Sequence, residues 1–374
     1  MFSVSFGTTI HMGEGSLKRL AQFSGERIYF ITDEFISKSE MMIKVMEMIP
    51  SNNELLVFNG VIPDPPIDNI VSGLEYAKDF NPTKIIAIGG GSALDAAKGI
   101  IYFGKQSNIF NEVSLICIPT TSGTGSEVTN FSIITDSENE TKYPLVTNDI
   151  LPEEAILDTS LVMELPQSQT ANTGIDVLTH AIEAFVSTNS TDISDALAEK
   201  AIKLVFDYLP RAYRDGSDTL AREKMHVAST LAGLAFNQAS LGLNHGIAHA
   251  AGAKFHIAHG RLNGILLPYV IKFNSGINDS VDTNIAGKYR DIAQLLNLKS
   301  SSVTIGTRAL INEINKLLRA VGIPSTFSQY GLDKKVFESN LSTIADSAVK
   351  DMTTRTNPRP VSPKDVERIL KAAY

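Results

Sequence analysis

The feature that most constrains the fold of this chain is a change in its apolar pattern near residue 165. Before that point, short apolar runs of strand length alternate with stretches of helical periodicity, which predicts βαβ units and a largely parallel sheet. After Leu165-Pro166, only long helical stretches remain. We therefore expect two domains. Residues 1–165 should form a Rossmann-like α/β nucleotide-binding domain, and residues 166–374 an all-α, metal-binding catalytic domain.

The individual elements can be placed from the same periodicities. The expected strands are Arg27–Thr32, Glu54–Phe58, Lys84–Ile88, Leu115–Ile118, Phe131–Thr135 and Ala155–Leu157. The expected helices are Ser16–Gln22, Asn69–Phe80, Ser92–Phe103, Asn172–Val186, Asp192–Leu209, Ala221–Asn237 and Ile305–Val321. Because the loop Ser275–Asn284 is too short for an interdomain linker, the helical half should be one domain.

The composition is that of an ordinary globular protein and argues against several partners. A chain of 374 residues, 43% of them hydrophobic and 20% charged, exceeds a comfortable single core. Its net charge of −8 disfavours nucleic acid and anionic membranes. The single cysteine, Cys117, excludes an internal disulfide and a cysteine-based zinc site. With no secretory signal and no membrane-spanning apolar run in evidence, we expect a cytoplasmic protein.

A glycine-rich loop follows the expected strand Lys84–Ile88. In Gly89-Gly90-Gly91-Ser92 the absent side chains let backbone N–H groups approach phosphate oxygens, and the dipole of the following helix favours negative charge. The string lacks the third glycine of the usual dinucleotide fingerprint, since Leu94 stands there, and it lacks the Gly-Lys-Ser/Thr of a P-loop. A tight turn that needs positive φ is the alternative reading.

Two further features favour a nucleotide site. The loop from Pro119 to Glu127 follows a buried strand and combines hydroxyls with glycines, as a ribose, phosphate or nicotinamide would require, although a solvated loop is the alternative. Asp33 follows the strand Arg27–Thr32, where an acid can accept from the adenosine ribose and repel a 2′-phosphate. This acid precedes the glycine loop, an unusual order, and an ordinary turn aspartate remains the alternative. If it binds the ribose, NAD is favoured over NADP.

Histidines at metal-ligand spacing mark the second half. The chain has only seven histidines, and five of them cluster with Asp176 in this pattern: His180, His245, His249, His256 and His259. Positions i and i+4 lie only about 40° apart on a helix, so Asp176/His180 and His245/His249 are two pairs, each facing one way. A solvated helix face would explain the first pair but not the second. Imidazole and carboxylate ligands together suit Fe²⁺ or Zn²⁺.

Taken in order, these strings resemble the iron-containing (group III) alcohol dehydrogenases over the whole chain. The motifs are Gly-Gly-Gly-Ser-x-x-Asp-x-x-Lys, Thr-Thr-x-Gly-Thr-Gly-Ser-Glu, Asp-x-x-x-His, and His-x-x-x-His with a third histidine ten residues further on. Within the family the chain is most similar to the propanediol-utilisation branch, on strings such as Ile118–Thr129, Thr170–Gly174 and Thr354–Pro360. For the last string we expect no role beyond a helix-breaking turn.

The resemblance implies roles for individual residues. It makes Asp176, His180, His245 and His259 the ligands of Fe²⁺, with Zn²⁺ as the alternative metal, and it places His249 near the substrate as a relay for the alcohol proton. The cofactor-contacting positions that it implies are Asp33, Asp64, Gly90, Gly91, Ser92, Thr120, Thr121, Thr129 and Lys142. Many members have Asn where Asp64 stands, so its contact is the least secure. His256 is expected outside the ligand set.

The resemblance also implies the reaction. NAD(H) binds along the carboxyl ends of the sheet, its nicotinamide facing the cleft between the halves, and the metal polarises the oxygen of a short-chain aldehyde or primary alcohol for hydride transfer. Propionaldehyde and 1-propanol are the favoured pair. We further expect a homodimer, in the cytoplasm or inside a bacterial microcompartment, there beside an aldehyde dehydrogenase partner.

Three other readings remain open. A zinc-dependent polyol dehydrogenase of the glycerol type shares the scaffold and differs in metal content and diol activity. A dehydroquinate-synthase-like lyase also uses NAD and a metal, but it needs basic residues for its substrate, and we expect none near the metal motifs. A scaffold subunit with a decayed site is disfavoured because the ligand set is intact.

Overall fold

The structure, a computed structural model, describes residues 4–110, 112–136, 141–277 and 279–374, without the side chains of residues 141 and 142. These residues divide into two compact units, the first ending at Glu164 and the second beginning at Leu165. Each unit has its own buried core. No helix in the described part of the chain is long and apolar enough to cross a membrane.

The first unit is built on a parallel sheet. Its described strands are β1 (Thr9–Met12), β2 (Arg27–Asp33), β3 (Glu54–Val61), β4 (Lys84–Gly89), β5 (Ser114–Pro119), β6 (Phe131–Asp136), β7 (Thr141–Val146) and β8 (Glu154–Leu157). Six of them form one sheet in the order β1-β8-β5-β4-β2-β3, and all of its pairings are parallel. The predicted parallel α/β sheet is therefore confirmed.

The central strands are apolar because both faces of the sheet are covered. In β4, Ile85, Ile86, Ala87 and Ile88 are all fully buried, as parallel sheets flanked by helices require. The α-helices described in this unit are α1 (Glu34–Ser37), α2 (Glu40–Glu47), α3 (Ile67–Ala77) and α4 (Gly91–Gln106). The predicted helix over Ser16–Gln22 is a 3₁₀ helix.

Three expectations for this unit need correction. Strands β1 and β7 have no counterpart among the expected elements. The strand expected at Phe131–Thr135 exists as β6, but it pairs antiparallel with β7 outside the main sheet. The helix expected at Asn69–Phe80 begins two residues earlier, directly after Pro66, and gives way to a turn before Asn81, whose φ is 48°. Proline at a helix start lacks only an N–H that would have no partner there.

The second unit is helical throughout its described residues, as predicted. Its α-helices are α5 (Gln167–Val186), α6 (Asp192–Arg214), α7 (Thr219–Ala239), α8 (Leu243–Phe255), α9 (His259–Ser275), α10 (Thr283–Leu295), α11 (Val303–Ala320), α12 (Phe327–Tyr330), α13 (Lys334–Lys350) and α14 (Pro363–Ala372). Helix α6 continues past Pro210, where the sequence predicts an end at Leu209. Two apolar cores organise the unit: one centres on α5, α6, α7 and α11, and the other on α8, α9, α13 and α14.

Candidate cofactor loops and metal centre

The three loops expected at the nucleotide leave neighbouring strands. Strands β2, β4 and β5 are adjacent in the sheet, and they end at Asp33, Gly89 and Pro119. Gly89 is in register with Pro119, and the N–H of Thr120 donates to the carbonyl of Gly89 at 2.9 Å. Because parallel strands end at the same edge, the sheet gathers these loops in one place, the usual position for a ligand in an open α/β fold.

The glycines let the two loops approach each other closely. A Cβ on Gly90 would lie 3.3 Å from Cγ2 of Thr121, and one on Gly91 would lie 2.7 Å from Cγ2 of Thr124. Gly89 has a φ of 151°, and a Cβ there would meet Ala93 at 2.7 Å. Helix α4 begins at Gly91 and is 16 residues long, so its first N–H groups and the positive end of its dipole lie at this edge.

Two further residues expected at the cofactor, Asp33 and Asp64, also lie at this edge of the sheet. The carboxylate of Asp33 accepts from the N–H of Ile36 at 2.8 Å as the N-cap of α1, and its other oxygen lies beside Gly89. The N–H of Asp64, at an exposed position, donates to Oγ of Ser92 at 3.3 Å. The side chain of Lys142 lies outside the described residues.

Asp95 and Lys98, which belong to the glycine-loop motif, anchor the loop from Pro119 to Glu127 through hydrogen bonds to Ser126. The ammonium of Lys98 is fully buried and donates to Oγ and the carbonyl of Ser126 and to Oγ1 of Thr129. Asp95 accepts from Oγ of Ser126 at 2.7 Å and from the N–H of Ile133 at 3.0 Å. Burial lowers the pKa of Lys98 below its ordinary value. Thr129, expected at the cofactor, is itself buried and faces Lys98.

In the second unit, three helices bring the expected metal ligands together. Helix α5 carries Asp176 and His180, α8 carries His245, and α9 begins at His259. Asp176, His180 and His245 are buried, and each offers a ligand atom within 4.8 Å of the other two. Nε2 of His259 lies 3.6 Å from Oδ1 of Asp176, as does Nε2 of His245. The structure therefore gathers four side chains that stand up to 83 positions apart in the chain.

A buried asparagine, Asn263, that the sequence did not single out lies at the centre of these ligand atoms. Nδ2 of Asn263 lies 2.6 Å from Oδ1 of Asp176 and 3.1 Å from Nε2 of both His245 and His259. The amide nitrogen therefore marks the point that the carboxylate oxygen and the two ring nitrogens all face. One carboxylate oxygen and two ring nitrogens thus converge, as the ligand atoms of one cation would.

Glu183 fixes the orientation of His245. Its Oε2 accepts from Nδ1 of His245 at 2.5 Å, which leaves Nε2 turned toward Asp176. The same carboxylate accepts from the N–H of Asn244 at 2.7 Å, at the start of α8. A carboxylate behind a ligating histidine is the usual outer partner of a metal site. Glu183 lies seven residues after Asp176, on the same face of α5, and this spacing is a signal that could have revealed it.

The carboxylates and imidazoles of the cluster shift one another's pKa values. Burial alone would raise the pKa of Asp176, but the imidazoles of His180 and His259 lower it well below the ordinary range. Burial alone would lower the pKa of His245, but the charge of Glu183 and the hydrogen bonds of both carboxylates raise it to about 9. The cluster therefore favours positive charge. One carboxylate and three imidazoles are a donor set that fits Fe²⁺ or Zn²⁺.

The other histidines of this region differ in placement. His249 lies beside the cluster: its ring stacks on that of His259 with centroids 5.4 Å apart, and its Nδ1 contacts Asp351 at 2.9 Å. His256 is exposed at the end of α8 with a φ of 51°, outside the cluster as expected. Arg261 corrects the expectation that no basic residue stands near the metal motifs; its guanidinium donates to Asn172 at 3.3 Å.

Comparison with known proteins agrees with this geometry. Residues 7–159 match the iron-containing alcohol dehydrogenase family, and residues 170–374 match the C-terminal domain of Fe-containing alcohol dehydrogenases. The chain is 42% identical to 1-propanol dehydrogenase PduQ of Salmonella typhimurium, over 99% of both chains. It is 37% identical to an NADPH-dependent butanol dehydrogenase of Clostridium saccharobutylicum, over 98% of this chain and 96% of that one.

A solved structure extends the likeness to the whole fold. Sulfoacetaldehyde reductase from Bifidobacterium kashiwanohense, in complex with NAD⁺, superposes with a TM-score of 0.88 at 25% identity, covering 100% of this chain and 98% of that one. Both the ordered motifs and the two-unit fold are accounted for by one family. The chain belongs to the iron-containing alcohol dehydrogenases, and it is an NAD-linked oxidoreductase of that family, as its motifs predicted.

Proposed function

We propose that this protein interconverts propionaldehyde and 1-propanol with NAD(H), using iron held by Asp176, His180, His245 and His259. The observation that carries the proposal is the convergence of these side chains in a chain 42% identical to a 1-propanol dehydrogenase. The relatives are alcohol dehydrogenases, which favours this reading over a lyase or a scaffold subunit. A zinc-dependent polyol dehydrogenase is likewise not favoured.

Each residue of the site has a separate role in the proposed reaction. When bound, the metal supplies a Lewis acid to the substrate oxygen. Asp176 contributes the negative charge of the ligand set, and Glu183 keeps Nε2 of His245 turned inward. His249, beside the cluster, accepts the hydroxyl proton. The loops at the ends of β4 and β5 bind the dinucleotide phosphates through backbone N–H groups.

The substrate preference can be tested with a series of aldehydes. A short unbranched aldehyde offers one oxygen and otherwise only CH₂ and CH₃ groups, and each buried CH₂ contributes about 0.8 kcal/mol, a factor of about four. We therefore expect kcat/KM with NADH to change in steps of this size across acetaldehyde, propionaldehyde and butyraldehyde. Lactaldehyde and dihydroxyacetone serve as comparison substrates. A preference of more than about 100-fold for a hydroxylated substrate would move the assignment to the polyol branch.

Cofactor choice is predicted to depend on Asp33. Wild-type protein should prefer NADH, and Asp33→Gly should shift the NADH/NADPH ratio of kcat/KM by about tenfold or more, because about 1.4 kcal/mol of charge repulsion already has that effect. Glycine is tolerated at an N-cap, so α1 should persist. Ser39→Gly, at the N-cap of α2, is the matched control and should leave the ratio unchanged. Equal use of both cofactors by the wild type would show that Asp33 does not face the ribose.

The expectations of a homodimer, of a cytoplasmic or microcompartment location and of an aldehyde dehydrogenase partner stay predictions. They rest on the resemblance to the propanediol-utilisation branch. A chemical argument supports the coupling: reduction of propionaldehyde regenerates NAD⁺, which an aldehyde-oxidising step consumes. Co-purification of the chain from its native cells would test the partner directly.

A further inference from the structure

The end of helix α13 reaches the histidine that lies beside the metal cluster. Oδ2 of Asp351 lies 2.9 Å from Nδ1 of His249, although the two residues are 102 positions apart. Its other oxygen accepts from the N–H of Thr353 at 2.8 Å and from Oγ1 of Thr353 at 2.7 Å. Both oxygens of Asp351 are therefore engaged, and the carboxylate is held in one orientation.

This contact determines which nitrogen of His249 carries the proton. Burial alone would raise the pKa of Asp351, but the hydrogen bonds from His249 and Thr353 lower it well below the ordinary range. The group is thus a carboxylate, which only accepts, so the proton of neutral His249 sits on Nδ1 and the lone pair on Nε2. Asp351 and His249 are about one-fifth exposed, unlike the fully buried His245.

Each of the two histidines at this site on α8 therefore has a carboxylate at its Nδ1. The two carboxylates differ in their exposure. Glu183 lies behind His245 in the closed interior, whereas Asp351 lies behind His249 near solvent. The first arrangement suits a permanent ligand. The second suits a group that meets the substrate, because His249 lies beside the cluster and is partly exposed.

We propose that Asp351 is a positioning residue for the reaction: it keeps His249 in the tautomer whose Nε2 accepts the hydroxyl proton of the alcohol. The inference rests on the proposed function. In the oxidation, the O–H bond breaks and its proton forms an N–H bond at Nε2, while hydride leaves the carbon for NAD⁺ and the C=O bond forms. The resulting imidazolium is stabilised by Asp351 and then releases one proton to solvent.

A double-mutant cycle tests this role. Asp351→Asn should lower kcat roughly 10- to 100-fold, the usual range for an outer partner of a site residue. KM and metal content should stay near wild type. Combined with His249→Gln, it should cost no further activity, because both changes remove one function. Asp351→Glu should restore part of kcat.

The control is Asp346→Asn, at an exposed position of helix α13, which should match wild type. Additive losses, or loss of metal in Asp351→Asn, would overturn the inference.

A second readout is independent of turnover. In metal-free protein labelled with ¹⁵N-histidine, the His249 resonances, identified by their absence in His249→Gln, should show the proton on Nδ1. In Asp351→Ala that preference should disappear, and an unchanged tautomer would refute the inference. If wild-type protein reduces no aldehyde, the proposed function fails while this spectrum still reports on the Asp351–His249 pair. If the wild type is active and the cycle is additive, only the role of Asp351 fails.

Discussion

Replacing Asp176 with alanine is expected to abolish both metal binding and activity. Asp176 is the one carboxylate of the predicted ligand set, and its Oδ1 lies 3.6 Å from Nε2 of both His245 and His259. Lewis-acid stabilisation worth roughly 4 kcal/mol corresponds to about a thousandfold in rate, so kcat/KM should fall by at least that factor. Anaerobic purification followed by elemental analysis and an aldehyde-reduction assay measures both losses.

The control for this variant is Asp207, an aspartate of the same unit that lies outside the cluster. Asp207 is half-exposed on α6 and pairs only loosely with Lys203, at 3.6 Å. Asp207→Ala should keep metal content and activity at wild-type values. Circular dichroism should show Asp176→Ala still folded. If folded Asp176→Ala retains full metal and activity, the ligand set proposed above is wrong.

Substituting Gly260 should disturb the metal centre without touching a ligand. Gly260 follows His259 at the start of α9, where the helix lies against α5. A Cβ there would lie 2.0 Å from the backbone oxygen of Asn172 and 3.2 Å from Cβ of Asp176. Backbone cannot move aside as a side chain can, so Gly260→Ala must push α9 away from α5. We expect a loss of about 1–3 kcal/mol in the free energy of unfolding, together with weaker metal binding.

Gly287 provides the matched control because it also lies in a helix of this unit, α10, and a Cβ there would meet nothing within 4 Å. Gly287→Ala should stabilise the protein by about 0.5–1 kcal/mol, the usual gain in a helix interior. Chemical denaturation and metal titration of both variants give the comparison. Equal stability and metal affinity in Gly260→Ala and wild type would contradict the close approach of α5 and α9.

The proposed metal ligands could be predicted from the sequence because helical periodicity is local. Asp176/His180 and His245/His249 are i, i+4 pairs, and such spacing puts two side chains on one face whatever the rest of the fold does. Periodicity does not say which of the histidines at one face is a ligand. That distinction came from the resemblance, and in the structure it corresponds to different partners at Nδ1: Glu183 behind His245 and Asp351 behind His249.

Contacts between residues far apart in the chain could not be predicted from the sequence. Asp351 meets His249 across 102 positions, and Asn357 accepts from the N–H of Leu243 across 114 positions, at 3.2 Å. Neither separation leaves a periodic trace in one sequence. Asn357 belongs to the string for which we expected only a turn. The structure shows instead that this string holds the N-terminus of α8, the helix that carries His245 and His249.

The same limit explains the errors in the fold. An alternating or apolar run predicts a strand but not the strand with which it pairs. The strand β6 was therefore predicted, but not its antiparallel pairing with β7 outside the parallel sheet. Strand β1 spans only Thr9–Met12 and mixes exposed with half-buried residues, which leaves almost no pattern. The strands around the glycine loops were easier because they are buried on both faces and read as continuous apolar runs.

Anomalous scattering at the iron edge, from crystals of anaerobically iron-loaded protein, tests the central claim most directly. We expect one peak per chain, within bonding distance of the carboxylate of Asp176 and of imidazole nitrogens of His180, His245 and His259. Soaking with a chelator should remove the peak, and the dissolved protein should lose aldehyde reduction and regain it with Fe²⁺. A peak at other residues, or full activity in protein that shows no metal peak, would show that these four side chains do not hold a catalytic metal.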